Sequence, residues 1–70
     1  MQNKYILLNV IERNINDPQF FNNIEDAKKE LKSQFESLAD EMDEGELYSD
    51  GLNAYANIKG FNYDWKIYVP

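Results

Sequence analysis

The sequence predicts an α+β domain of β-α-β-β order, in which one long helix packs on a three-stranded antiparallel sheet of order 1-3-2. Two observations carry that expectation. Between Asn23 and Gly45 the apolar residues Ile24, Ala27, Leu31, Phe35, Leu38 and Met42 recur every three or four positions, so they lie along one side of a 3.6-residue helix. Around that segment are three stretches rich in β-branched and aromatic residues, with period-two alternation clearest in the last.

The first strand runs from Lys4 to Ile11. Ile6, Leu8 and Val10 point one way and Tyr5, Leu7, Asn9 and Ile11 the other, so both faces carry apolar weight. Glu12 to Asn22 has the composition of a turn and loop, and its Phe20 and Phe21 are expected to tuck under the helix that follows. Asn23 suits the N-cap because its side-chain oxygen can accept an early backbone N–H, and Asp26 complements the same helix end. Glu25 with Lys29 and Lys32 with Glu36 are opposite charges four apart, worth ~0.2 to 0.5 kcal/mol per pair on an exposed face.

Gly45 reads as the left-handed stop of this helix. A run of about 22 residues would reach ~33 Å, against ~23 Å for a seven-residue strand, so its last turns are expected to overhang the sheet. Glu46 to Asp50 is then a polar connection anchored by Leu47 and Tyr48, with Gly51 at a turn. Leu52 to Ile58 forms the second strand, and Lys59-Gly60-Phe61-Asn62 the hairpin loop. Tyr63, Trp65, Ile67 and Val69 alternate with Asp64, Lys66 and Tyr68 in the third strand, closed by Pro70. Placing that strand in the middle makes every neighbour antiparallel and puts Trp65 at the centre.

Seventy residues fit a single compact domain over 1–70. Cysteine and histidine are both absent, which removes disulfides, thiolate chemistry, the usual base near neutral pH and the commonest metal ligand. The sequence carries no basic leader followed by an apolar run and no stretch approaching the ~18 to 20 apolar residues of a membrane span, so a cytoplasmic location without membrane partners is expected. Asp40 to Gly51 starts with Asp and has Gly45 sixth, as in an EF-hand loop, but Met42 and Gly51 occupy the third and twelfth positions, where ligands are needed. No metal or cofactor is expected. Ser33, Ser37 and Ser49 lack a base, an oxyanion loop or a phosphate cradle, so the sequence argues against an enzyme.

The net charge of −6 comes from one segment. Charges balance over residues 1–35, whereas residues 36–50 hold Glu36, Asp40, Glu41, Asp43, Glu44, Glu46 and Asp50, and residues 51–70 are slightly basic. Glu36, Asp40, Asp43 and Glu44 follow helical spacing, so they predict an acidic stripe at a helix C-terminus, where each acid is unfavourable by ~0.3 to 1 kcal/mol. With Glu46 and Asp50 they form a candidate patch for a basic partner; a solvated, solubilising face is the alternative. The second candidate surface is the sheet face away from the helix, carrying Asn53, Tyr55, Asn57 and Tyr68, with Lys66 and with Leu7 and Ile11 or their neighbours beside them. It suits either a partner or a homodimer. Direct binding of nucleic acid is excluded by the sign of the charge.

In its short length, lack of cysteine, acidic helix end and closing Tyr63-Asp64-Trp65-Lys66-Ile67-Tyr68, the chain resembles the small acidic proteins of bacteriophages and mobile elements. These include anti-CRISPR and other host-defence inhibitors, some of which mimic DNA. The resemblance implies cofactor-free, stoichiometric inhibition of a nucleic-acid-handling protein in the host-cell cytoplasm. It assigns no functional residue.

Overall fold

The computed structural model describes residues 4–70. Its class is α+β, but the sheet has six strands rather than three, so the predicted three-stranded architecture is corrected. The elements are β1 (Tyr5–Ile11), β2 (Asn14–Ile15), β3 (Gln19–Phe21), α1 (Ile24–Ser37), a 3-10 turn (Ala39–Glu41), β4 (Glu44–Leu47), β5 (Asn53–Ile58) and β6 (Phe61–Tyr68). The strand order is β2-β1-β6-β5-β4, with β3 also on β1, and every pairing is antiparallel.

The three additional strands are short and sit at the margins. After β1 the chain reverses over Glu12 and Arg13, with Glu12 at φ 58, and β2 pairs Ile15 with Val10. The turn is tied down by Asn62, whose N–H donates to Glu12 Oε2 at 2.7 Å and whose carbonyl accepts from Glu12 N at 2.6 Å. Phe20 and Phe21 do not both tuck under the helix. They belong to β3, which pairs with Tyr5, Ile6 and Leu7, and alternation sends Phe21 toward the core while Phe20 stands outward, 61% exposed.

The helix starts at the predicted cap: Asn23 Oδ1 accepts the Asp26 N–H at 2.8 Å. It ends at Ser37, well before Gly45, with Leu38 as its C-cap. No basic residue occupies its last turn, and continuing it would have added several more acids against the negative helix end. Instead the Asp43 N–H donates to Asn57 O at 2.8 Å and its carboxylate accepts the Lys59 N–H at 3.0 Å, which steers the chain into β4. A 14-residue helix spans ~21 Å, close to the ~23 Å of β1, so there is no overhang.

The core comprises Leu7, Ala27, Leu31, Ala54, Ala56, Ile58, Trp65 and Ile67, all on the helix side of the sheet or on the helix itself. The helix packs on β1, β3 and β6, and Leu38, Met42 and Leu47 pack against the same core from the segment that follows. Trp65 on β6 meets Phe35 edge-on at 5.8 Å and stacks with Tyr63 at 6.1 Å. Its indole N–H donates to Gln34 Oε1 at 3.1 Å, so the one polar atom of the ring is satisfied.

Gly45 therefore serves close packing, not a helix stop. A Cβ there would lie 2.8 Å from Met42 Sδ, 3.0 Å from the Tyr55 carbonyl oxygen and 3.3 Å from Ala56 Cβ. Gly45→Ala is expected to cost ~1 to 3 kcal/mol through overpacking. At ~4 to 8 °C per kcal/mol for a domain of this size, a thermal melt would register the loss, and an unchanged midpoint would contradict this seating of β4.

Candidate functional site

The face of the sheet opposite α1 is uncovered among the described residues. Strand register fixes what stands on it, because directly paired residues share a face and alternate residues return to it. One row runs Phe20–Ile6–Tyr68, and the next holds Leu8, Lys66 and Asn53. A third runs Ile15–Val10–Asp64–Tyr55–Glu46, and the last joins Asn62, Asn57 and Glu44. Of the two options for β1 beside the tyrosines, Leu7 and Ile11 belong to the helix side, where Leu7 is buried, and their neighbours Ile6, Leu8 and Val10 take the open side.

The face thus divides across its width. Toward β1 it is apolar, and toward β4 it is acidic and tyrosine-bearing. Tyr48 extends the same alternation beyond β4, its N–H donating to Asn53 O at 3.0 Å, and its ring lies 6.1 Å from that of Tyr55. A concavity of about 450 Å³ opens here, walled by Glu12, Tyr48, Tyr55, Asn62 and Asp64 among others. Partial desolvation, then the carboxylates of Glu44 and Glu46, push the Tyr55 phenol above its ordinary value, so it stays a neutral hydrogen-bond donor into more alkaline solution. Lys66, the one cation in the strand rows of this face, lies over the Tyr68 ring at 5.4 Å.

The acidic residues are not a helical stripe. Glu36 is exposed on α1, on the far side of the sheet, and Asp40 is exposed in the 3-10 turn. Asp43 and Asp50 hold turns: Asp43 binds the Lys59 N–H, and Asp50 accepts the Leu52 N–H at 2.8 Å and Asn53 Nδ2 at 3.4 Å. Glu44 and Glu46 remain, side by side on the open face of β4 and next to Asn57 and Tyr55. The two surfaces that looked separate in the sequence therefore meet at the β4–β5 pair.

Sequence reasoning missed Glu12, Tyr48 and Asp64 as neighbours of this group. The signal is the Glu44-x-Glu46-x-Tyr48 alternation, masked by Leu38 and Met42, which continue the helical spacing into the same segment. The arrangement presents phenol hydroxyls, aromatic faces and carboxylates, which together accept an ammonium or guanidinium group through cation–π contact and charge-assisted hydrogen bonds.

A second concavity, of about 360 Å³, lies on the helix side between Leu7, Asn9, Asn16, Asp17, Gln19 and Gln34. Its amides largely bond to one another: Asn16 Nδ2 to Asn9 Oδ1 at 2.6 Å, and Gln34 Nε2 to Gln19 Oε1 and Glu30 Oε2 at 2.8 Å each. That network positions the acceptor for Trp65. Among the described residues no group of three or more acids is placed to hold a metal ion, and no helix is long and apolar enough to cross a membrane. No family model, curated protein or solved structure matches the chain.

Proposed function

We propose that the chain is a non-enzymatic binding protein whose acidic, tyrosine-bearing half-face occupies a basic groove on a nucleic-acid-handling protein, as an inhibitor of the phage-encoded, anti-CRISPR or DNA-mimic kind. The observation that supports this reading is the placement of Glu44 and Glu46 beside Tyr55 on an uncovered sheet face, with Asp64, Tyr48 and Glu12 around the adjoining concavity. Lysine and arginine side chains of a groove built for phosphates would find both carboxylates and aromatic faces there.

The mimicry is one of sign more than of spacing. Alternate residues of a strand repeat at ~6.7 Å, about twice the 3.4 Å rise per phosphate along one DNA strand, so Glu44 and Glu46 supply roughly half the axial charge density. The test is the double substitution Glu44→Gln with Glu46→Gln, assayed against nucleic-acid-handling proteins at rising salt. Both side chains are exposed at a sheet edge, so stability should stay within ~0.5 kcal/mol. A close interfacial charge pair is worth ~1.5 kcal/mol or more, so affinity should fall at least roughly tenfold and lose much of its salt dependence. Unchanged affinity in the folded variant would remove this half-face as the binding site.

A further inference from the structure

The acidic half-face ends at a margin of the sheet, and the backbone of that margin is open. Among the described residues β4 has β5 on one side and no strand on the other. In an antiparallel ladder alternate residues bond to the neighbouring strand, and those between them turn their N–H and C=O groups the opposite way. The Tyr48 N–H donates to Asn53 O at 3.0 Å, so the residues of β4 that bond to β5 are Glu46 and Glu44, paired with Tyr55 and Asn57. Gly45 and Leu47 therefore direct their amides and carbonyls outward, where the sheet stops. Gly45 is exposed, and having no side chain it exposes backbone.

An unpaired strand edge is a template for further pairing, which short length and charge restrain. On β4 the restraint has one sign. Glu44 and Glu46 stand on the open face, so a second copy of β4 would bring its own two glutamates onto the same face and be repelled. A strand with lysine or arginine at alternate positions meets the opposite condition, since unlike charges directly across a pair stabilise it. The residues between those basic positions would come to the helix side, beside Met42 and Leu47, which are half-buried and packed against the core. Apolar side chains suit that side.

We propose that β4 receives an extended segment of its basic partner as a seventh, antiparallel strand, with basic residues opposite Glu44 and Glu46 and apolar residues opposite Gly45 and Leu47. This rests on the reading that the acidic half-face meets a basic protein, and adds how the contact is made. The outward amides and carbonyls of Gly45 and Leu47 bind the segment's main chain and fix its register, while the two carboxylates select its sign. The direction follows the sheet itself, in which every pairing is antiparallel. Strand addition also sets the new basic side chains in line with the row that holds Tyr55 and Asp64, so edge and face act on one partner.

The test uses the full chain, isotopically labelled for amide exchange, and a short peptide in which lysine alternates with valine. Without peptide, the Gly45 and Leu47 amides should exchange with solvent faster than those of Glu46 and Tyr48, which are bonded to β5. Bound peptide should slow exchange at Gly45 and Leu47. Methylating the backbone nitrogens of the peptide's valines, whose N–H groups face β4, should weaken binding at least roughly tenfold through the loss of two main-chain bonds. Methylating those of its lysines, whose N–H groups face away, keeps the same charge and should leave affinity within roughly twofold. Equal binding by the two methylated peptides, or no binding of the unmodified peptide at millimolar concentration, would overturn the strand addition. So would a bound peptide that shifts the Tyr48 and Tyr55 signals while Gly45 and Leu47 still exchange freely; that result leaves the half-face standing as a binding surface, which the glutamine substitutions test separately.

Discussion

Trp65→Ala is expected to remove between about a third of the folding stability and all of it. Truncating a buried Trp costs ~3 to 5 kcal/mol, and a domain of this length has a total stability of roughly 4 to 10 kcal/mol. Trp65 is 2% exposed and belongs to β6, which pairs with both β1 and β5, so its loss is felt on both sides of the sheet. Removing it also ends the edge contact with Phe35 and the stacking with Tyr63, and leaves Gln34 Oε1 without its indole donor. Trp65→Phe separates these contributions: it keeps most of the apolar volume but not the hydrogen bond, so its stability should fall between wild type and the alanine variant. A full cooperative melt for Trp65→Ala, near the wild-type midpoint, would contradict the packing described for β6.

The central position of this tryptophan was legible because its strand alternates without interruption and one face is all large and apolar. β5 alternates as cleanly, with small apolar Ala54 and Ala56 and Ile58 buried and Asn53, Tyr55 and Asn57 on the open side. The start of α1 was legible from one side-chain cap. What could not be read were elements whose existence depends on neighbours. β2 and β3 have two and three residues, too few for a period to be seen, and they form because β1 offers a free edge.

The segment from Leu38 to Tyr48 was ambiguous for a different reason. Leu38 and Met42 continue the helical spacing of α1, while Glu44, Glu46 and Tyr48 begin a period of two, and a window spanning both favours the longer pattern. The charge of the acids was visible but its geometry was not. Only the pairing of β4 with β5 brings Glu44 and Glu46 to the tyrosines and leaves Glu36 on the opposite side of the sheet. Gly45 is ambiguous for the same reason, since close approach and a helix stop make the same demand for a missing Cβ.

The corrected helix end leads to the second large effect. Had α1 continued to Gly45, Leu38 would have been a mid-helix core residue equal to Leu31. In the structure Leu31 is fully buried, whereas Leu38 is the C-cap, partly exposed, with its N–H shared between the Phe35 and Glu36 carbonyls. Leu31→Ala is therefore expected to cost ~2 to 5 kcal/mol, because the cavity opens where α1 meets the core and little can collapse into it. Leu38→Ala should cost clearly less: part of its surface is already in water and its backbone bonds survive the change. Urea unfolding of the two variants, fitted with a common m-value, measures the difference directly. Equal losses, or a larger loss at Leu38, would mean that the helix extends beyond Ser37 and that Glu36, Asp40 and Asp43 share a helical face after all.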